Sequence, residues 1–131
     1  KDLVGELARR LGVDSEAGQT LQVGATFPGS DLVGTSYQHP LYDRVSQIVA
    51  GGDYITADSG TGLVHTAPGH GQEDYLTGLK YGLPLLSPVN NLGRFTEEAG
   101  PRFEGLDVLG DGNIAVIDAL REVGALIKQE A

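Results

Sequence analysis

The stretch that decides the fold runs Ser59-Gly-Thr-Gly-Leu-Val-His-Thr-Ala-Pro68, then Gly69-His-Gly71, then Gln72-Glu-Asp-Tyr-Leu-Thr-Gly-Leu-Lys-Tyr81. Glycines lead into a short apolar run that Pro68 ends, because proline has no N–H to continue a ladder. Gly69-His-Gly71 is a tight connection. Glu73 and Asp74 then fall in the first turn of a helix, where the dipole favours acidic side chains, and Gly82 supplies its stop. Strand, turn and helix in quick succession predict an α+β chain.

Upstream, Leu3, Val4, Leu7 and Leu11 recur at helical spacing before Gly12, which predicts an amphipathic surface helix. Thr20 to Phe27 alternates roughly and meets Pro28-Gly29, a strand and a turn. Tyr37-Gln-His-Pro-Leu-Tyr-Asp-Arg44 reads as loop or short edge structure around Pro40. Val45 to Ala50 is a second strand candidate and Tyr54-Ile-Thr56 a third. Downstream, Leu83 to Val89 is a short strand interrupted by prolines. Asn90-Asn-Leu-Gly93 is a turn, and Arg94 to Glu98 a possible second hairpin arm. Asn113 to Val123 carries Ile114, Ile117 and Leu120 at helical intervals, with Gly124 near the stop. Short, unevenly spaced strands with no repeated βαβ unit predict an α+β fold with a mixed, curved or barrel-like sheet core and flanking helices.

Composition narrows the function. At 131 residues the chain is one domain or part of one, and 40% apolar content argues against a disordered segment. Cysteine is absent, which excludes disulfides, thiolate catalysis and zinc–sulfur sites. No apolar run approaches the ~20 residues of a membrane span, so no membrane partner is expected. With 18 acidic against 9 basic residues, the net charge of −9 opposes an extended nucleic-acid surface.

The densest set of reactive groups is His65, Thr66, His70, Glu73 and Asp74, between a strand end and a helix start, where small-molecule sites commonly form. Flanking glycines let a ligand approach the backbone, helix-start N–H groups suit an oxygen, and an aspartate there suits an ammonium or a water. Each residue also has a structural role open to it: Glu73 and Asp74 as helix N-terminal residues, His65 as a satisfied histidine at a sheet edge. His65, His70 and Asp74 superficially resemble a metal set, but a hydrolytic metal wants a third firm ligand. Gly60-Thr-Gly62 lacks the Gly-Lys-Ser/Thr of a phosphate loop, and Ser59 or Thr66 is no nucleophile elbow. Tyr37, His39 and Tyr42, near Asp43 and Arg44, suit a polar surface loop or a nucleic-acid contact. Unaided, the residues describe a small mixed domain with a polar pocket around residues 60–75.

The run from Ser59 to Tyr75, followed by Gly78 and Lys80-Tyr-Gly82, resembles the signature of the isoleucyl-tRNA synthetase editing domain, within the class I aminoacyl-tRNA synthetases. Tyr37 to Arg44, Leu83-Pro84 and Gly93-Arg-Phe-Thr96 resemble the same family, so the likeness covers most of the chain. Valyl and leucyl relatives share Gly-Thr-Gly but carry a later Pro-Ala-His-Asp; Pro68-Gly-His-Gly71 and His65 favour the isoleucyl branch.

The resemblance implies an inserted domain with a barrel-like core that hydrolyses valine from mischarged valyl-tRNA(Ile) after transfer, and valyl-adenylate before it. Asp74 falls on the family aspartate that holds the substrate ammonium, and His65 on the histidine that rejects isoleucine and orients the terminal ribose. These are the implied catalytic residues. Gly60, Thr61, Gly62, Thr66, Pro68, Gly69, His70, Gly71 and Asp74 are the implied substrate-binding set. No metal or other cofactor is expected in this domain; ATP and Mg serve the parent synthetase, which attaches isoleucine to tRNA(Ile). The implied partners are the 3′ end of valyl-tRNA(Ile), valyl-adenylate and the catalytic body of the parent, in the cytoplasm or an organelle. The family's threonine-rich peptide, of the Trp-Thr-Thr-Thr-Pro-Trp-Thr type, has no counterpart here. Residues 1–131 are therefore expected to be a partial editing domain lacking that upstream segment. The competing readings are a non-catalytic module for the aminoacyl-tRNA 3′ end and a stand-alone deacylase.

Overall fold

Local sequence signals account for the helices. The computed structural model describes residues 3–13, 21–52, 54–55 and 60–129. Helix α1 spans Val4–Leu11 and ends where Gly12 turns left-handed at φ 70°, its amide donating to the Arg9 carbonyl at 3.1 Å. Glu6 and Arg10, one turn apart, pair at 3.0 Å on its exposed face. Helix α2 spans Gln72–Tyr81, and Gly82 closes it at φ 64°. Helix α3 spans Asp111–Glu122, starting two residues before the Asn113 expected from periodicity.

The sheet departs from expectation. Among the described residues the strands are β1 (Ser36–Gln38) and β2 (Val45–Gln47), paired as an open two-stranded antiparallel sheet rather than a barrel or a strongly curled one. The Gly34 and Ile48 amides donate to the Ile48 and Thr35 carbonyls at 2.9 Å and extend the pairing by one step. No strand forms along residues 21–27 or 60–68, and the run from Leu83 to Val89 contributes only an isolated bridge, Val89 to Phe95. Tyr54 and Ile55 form no strand either. Thr20, Thr56 and Ser59, the outer ends of three expected strands, lie outside the described residues.

The physical reason is that none of these runs has both a ladder and a buried face. Pro68, Pro84 and Pro88 remove donors where pairing would have to continue. Gly60 and Gly62 sit at φ 73° and 76°, which breaks extended backbone just before Leu63. Leu63, Val64, Leu85 and Leu86 stay exposed, so no apolar face accumulates on which a barrel could close.

The described chain divides into two compact units. The first comprises Lys1–Tyr37, Val45–Val64 and Ile127–Ala131; in it Lys128 Nζ donates to the Arg10 carbonyl in the last turn of α1. The second comprises Gln38–Arg44 and His65–Leu126, and contains the buried apolar residues Ala99, Phe103 and Ala119. Leu41, Tyr42, Phe95, Ala115 and Val116 pack around them, and the Phe95 and Phe103 rings meet at 6.1 Å.

The Asn90–Gly93 turn feeds this core. Asn90 Oδ1 accepts the Leu92 and Arg94 amides at 2.9 and 3.1 Å, and the Asn90 amide donates to the Arg94 carbonyl. The second arm ends at Thr96, where Glu97–Ala99 winds into a 3₁₀ turn. The first turn of α3 then lies so close to the chain that a Cβ on Gly112 would stand 2.6 Å from the Asp107 carbonyl oxygen and 2.8 Å from the Phe95 ring.

Candidate functional site

Between the apolar run and α2 the chain folds back on itself. The His70 amide donates to the Ala67 carbonyl at 2.9 Å, which makes a turn of Ala67 to His70. Gly71 is the extended residue before the helix, and its carbonyl accepts the Tyr75 amide at 2.8 Å. Asp74, in the first turn, reaches back so that Oδ2 accepts the Ala67 amide at 3.0 Å. A carboxylate at this point satisfies a main-chain donor that the absent strand leaves unpaired, while its remaining lone pairs stay available to a ligand.

Glycine permits the close packing on either side. A Cβ on Gly71 would meet Asp74 Oδ2 at 3.0 Å, so the carboxylate rests directly over that backbone. On Gly69 it would lie 2.0 Å from the Leu86 carbonyl oxygen, and on Gly78 2.8 Å from the Pro68 ring. The turn is thus pressed against residues 86–87 on one side and α2 on the other.

An open depression of about 660 Å³ results, lined by Pro68, Gly69, His70, Gly71, Gln72, Tyr75, Leu85 and Ser87. Of the substrate-binding set, Pro68, Gly69, His70 and Gly71 line it. Asp74 braces the turn behind the lining, and His65 and Thr66 precede it in the same unit. His65 is exposed and ends no strand, so the sheet-edge role that the sequence left open for it does not arise. Gly60, Thr61 and Gly62 belong to the other unit. There they line a separate depression of about 410 Å³ with Tyr54, Ile55, Leu63 and Val64, and Thr61 Oγ1 bonds the Leu63 backbone at 3.2 Å.

Gln72, Tyr75, Leu85 and Ser87 escaped the reading of the sequence. Tyr75 was detectable as an aromatic on the first turn of α2; residues 85–87 arrive only through the close approach at Gly69. Among the described residues no group of three or more His, Cys, Asp or Glu side chains gathers to hold a metal ion. No helix among them is long and apolar enough to cross a membrane.

The loop Gln38–Arg44, in the same unit, is tightly self-bonded. The His39 amide donates to the Arg44 carbonyl at 2.8 Å and Gln38 Nε2 to the Tyr42 carbonyl at 3.0 Å. The Leu41 amide donates to His39 Nδ1 at 3.0 Å, and the His39 and Tyr42 rings meet at 4.9 Å. Arg44 lies 5.6 Å over the Tyr42 ring, and Tyr42 Oη donates to the Ala99 carbonyl at 2.8 Å. Burial raises the Tyr42 phenol above its ordinary pKa, partly offset by Arg44, so the donor keeps its proton. His39 is held below the ordinary histidine value by burial first, then by Arg44 and His65.

No family model matches the chain. Among known proteins it is 61% identical over 129 residues to the isoleucine–tRNA ligase of Nostoc punctiforme, covering 98% of the chain and 13% of the relative. It is 60% identical over 130 residues to that of a second Nostoc, covering 99% and 13%, and 63% identical over 110 residues to that of Gloeothece citriformis, covering 84% and 11%. Over 98–99% of its own length, the chain matches the isoleucine–tRNA ligase family as a piece spanning about 13% of the relatives' length.

Proposed function

We propose that this chain is editing machinery of an isoleucine–tRNA ligase, where valine wrongly esterified to tRNA(Ile), or held as valyl-adenylate, is released by hydrolysis. The observation that carries the reading is the near-complete match of the chain to a segment of such ligases, with the Ser59–Gly82 signature inside it. The chemical need is independent of that match. One methylene is worth only ~1–3 kcal/mol in a pocket, so a synthetic site built for isoleucine admits valine, and a second, smaller site removes the error.

In this reading Asp74 receives the substrate ammonium on the carboxylate lone pairs that Ala67 leaves free. His65 is the wall that excludes isoleucine and orients the terminal ribose. Thr66 and the Pro68–Gly71 turn supply the remaining contacts to the aminoacyl-adenosine. Water is the nucleophile, helped by backbone polar groups. The catalytic body of the ligase, with its ATP and Mg, makes the aminoacyl-tRNA and provides most of the tRNA affinity, in the cytoplasm or an organelle. A binding-only module for the 3′ end is the second reading, favoured by one observation: the Asp74 carboxylate already has a structural partner.

The test is hydrolysis of valyl-tRNA(Ile) and isoleucyl-tRNA(Ile), with chelator present, by the chain and by a full-length ligase carrying it. Valine-selective release that Asp74→Ala abolishes, and that His65→Ala extends to isoleucine, is expected. Release from neither protein, or release indifferent to both substitutions, overturns the proposal.

A further inference from the structure

Tyr75 lines the depression beside α2 and has no part in the reaction as assigned. It stands one helical turn before Gly78, the residue packed on the Pro68 ring, which brings it to the Pro68–Gly71 turn. The backbone approach of Gly69 to Leu86 brings Leu85 and Ser87 to the other side. Tyr75 keeps 43% of its surface exposed, and among the described residues its side chain has no hydrogen bond, ring contact or cation beside it. Pro68 and Leu85 add apolar surface to the lining, and Gln72 and Ser87 an amide and a hydroxyl; none of the lining residues is Lys or Arg. A volume of about 660 Å³ suits a small molecule with a flat apolar part, and the lining offers no cation for a phosphate.

Asp74 and Tyr75 are consecutive, so their Cα atoms are about 3.8 Å apart while their side chains diverge by about 100° around the helix. A ligand held at Asp74 by its ammonium can therefore place a second branch against Tyr75. In an aminoacyl-adenosine that branch is the base. We propose that Tyr75 is the seat of the adenine, its ring stacking on the base of the substrate whose ammonium Asp74 holds. The assignment rests on the editing reading, which leaves the base without a contact of its own.

The first arm of the test is NMR of the tyrosine rings in the whole chain. Adenosine at millimolar concentration should shift the Tyr75 ring resonances, identified by their loss in Tyr75→Leu, and ribose should not. AMP should shift them no further than adenosine does. Unmoved resonances with adenosine, an equal response to ribose, or a larger response to AMP overturns the base seat.

The second arm compares release of valine from valyl-adenosine and from valyl-ribose, the same ester without its base, by the full-length ligase. The preference in kcat/KM for the ester with the base should fall about tenfold in Tyr75→Leu and return in Tyr75→Phe, which restores the ring. A loss shared equally by the two esters is a structural effect and overturns the proposal. So does an unchanged preference for the base accompanied by a changed ratio of valine to isoleucine release, which would put the amino-acid side chain on Tyr75. If adenosine shifts the ring while the unsubstituted ligase hydrolyses neither ester nor valyl-tRNA(Ile), the editing reading falls and the base seat stands.

Discussion

At Asp74 one carboxylate oxygen accepts the Ala67 amide while the side chain rests over the Gly71 backbone. The residue therefore serves structure and, in the proposed reaction, substrate. Asp74→Ala leaves the Ala67 N–H unpaired in a half-buried place and is expected to cost roughly 1–2 kcal/mol in urea unfolding. Asp74→Asn retains an acceptor and should recover most of that stability without recovering ammonium binding. Equal losses from both variants would refute the division. His39 makes a pH prediction. Burial, Arg44 and His65 hold its pKa below 6.5, so as pH falls the unfolded chain takes up this proton first. The contribution is whole above about pH 6.5 and is lost as pH drops through the folded value. Glu122, held low mainly by its hydrogen bond from Arg102, acts only below its ordinary 4.5 and does not share that window. The urea midpoint should therefore fall just below pH 6.5 in the unsubstituted chain and more shallowly in His39→Asn; parallel profiles would contradict the assignment.

Among the elements, the helices were legible, and of the expected strands the one from Val45 to Ala50 appears, as β2, while the others do not. Leu7 and Leu11 before Gly12, and the acidic start of α2 with Gly82 at its end, are signals contained within a dozen residues, and α1 and α2 follow them. The Asn90–Gly93 turn was equally local, because the asparagine side chain bonds its own neighbourhood. A strand needs a partner elsewhere, and neither the rough alternation of residues 21–27 nor the apolar run of residues 83–89 says whether one arrives. The site divides in the same way. Pro68–Gly71 was visible as a glycine-rich connection, but Leu85 and Ser87 enter through the backbone approach at Gly69, which no local pattern encodes. That approach can be tested. Gly69→Ala drives a methyl into the Leu86 carbonyl, a backbone group with no rotamer to yield, and should destabilise by about 1–3 kcal/mol. A neutral effect on the denaturation midpoint would show that residues 86–87 do not press on the turn.

Over the whole molecule, apolar burial and charge are both distributed unevenly. The buried apolar residues among those described lie in the second unit, whereas the first keeps Val23, Phe27, Val33 and Val45 exposed. Nine excess negative charges leave little to attract a polyphosphate chain. Binding of uncharged tRNA(Ile) to this chain at physiological salt is accordingly expected to be weaker than about 10⁻⁶ M, as measured by filter retention. Submicromolar affinity would mean that clustered basic side chains outweigh the overall charge.

The Tyr42–Ala99 hydrogen bond joins residues 57 apart in the chain. Closing a loop of that length costs on the order of 3–4 kcal/mol of chain entropy before any contact rewards it. The contacts of residues 89–124 are local and have no such barrier. During folding the 38–44 loop should therefore dock last, onto a core already assembled, and detach first on the way out. Tyr42→Phe should then speed unfolding about fivefold in stopped-flow traces while refolding keeps its rate, the signature of a contact made after the transition state.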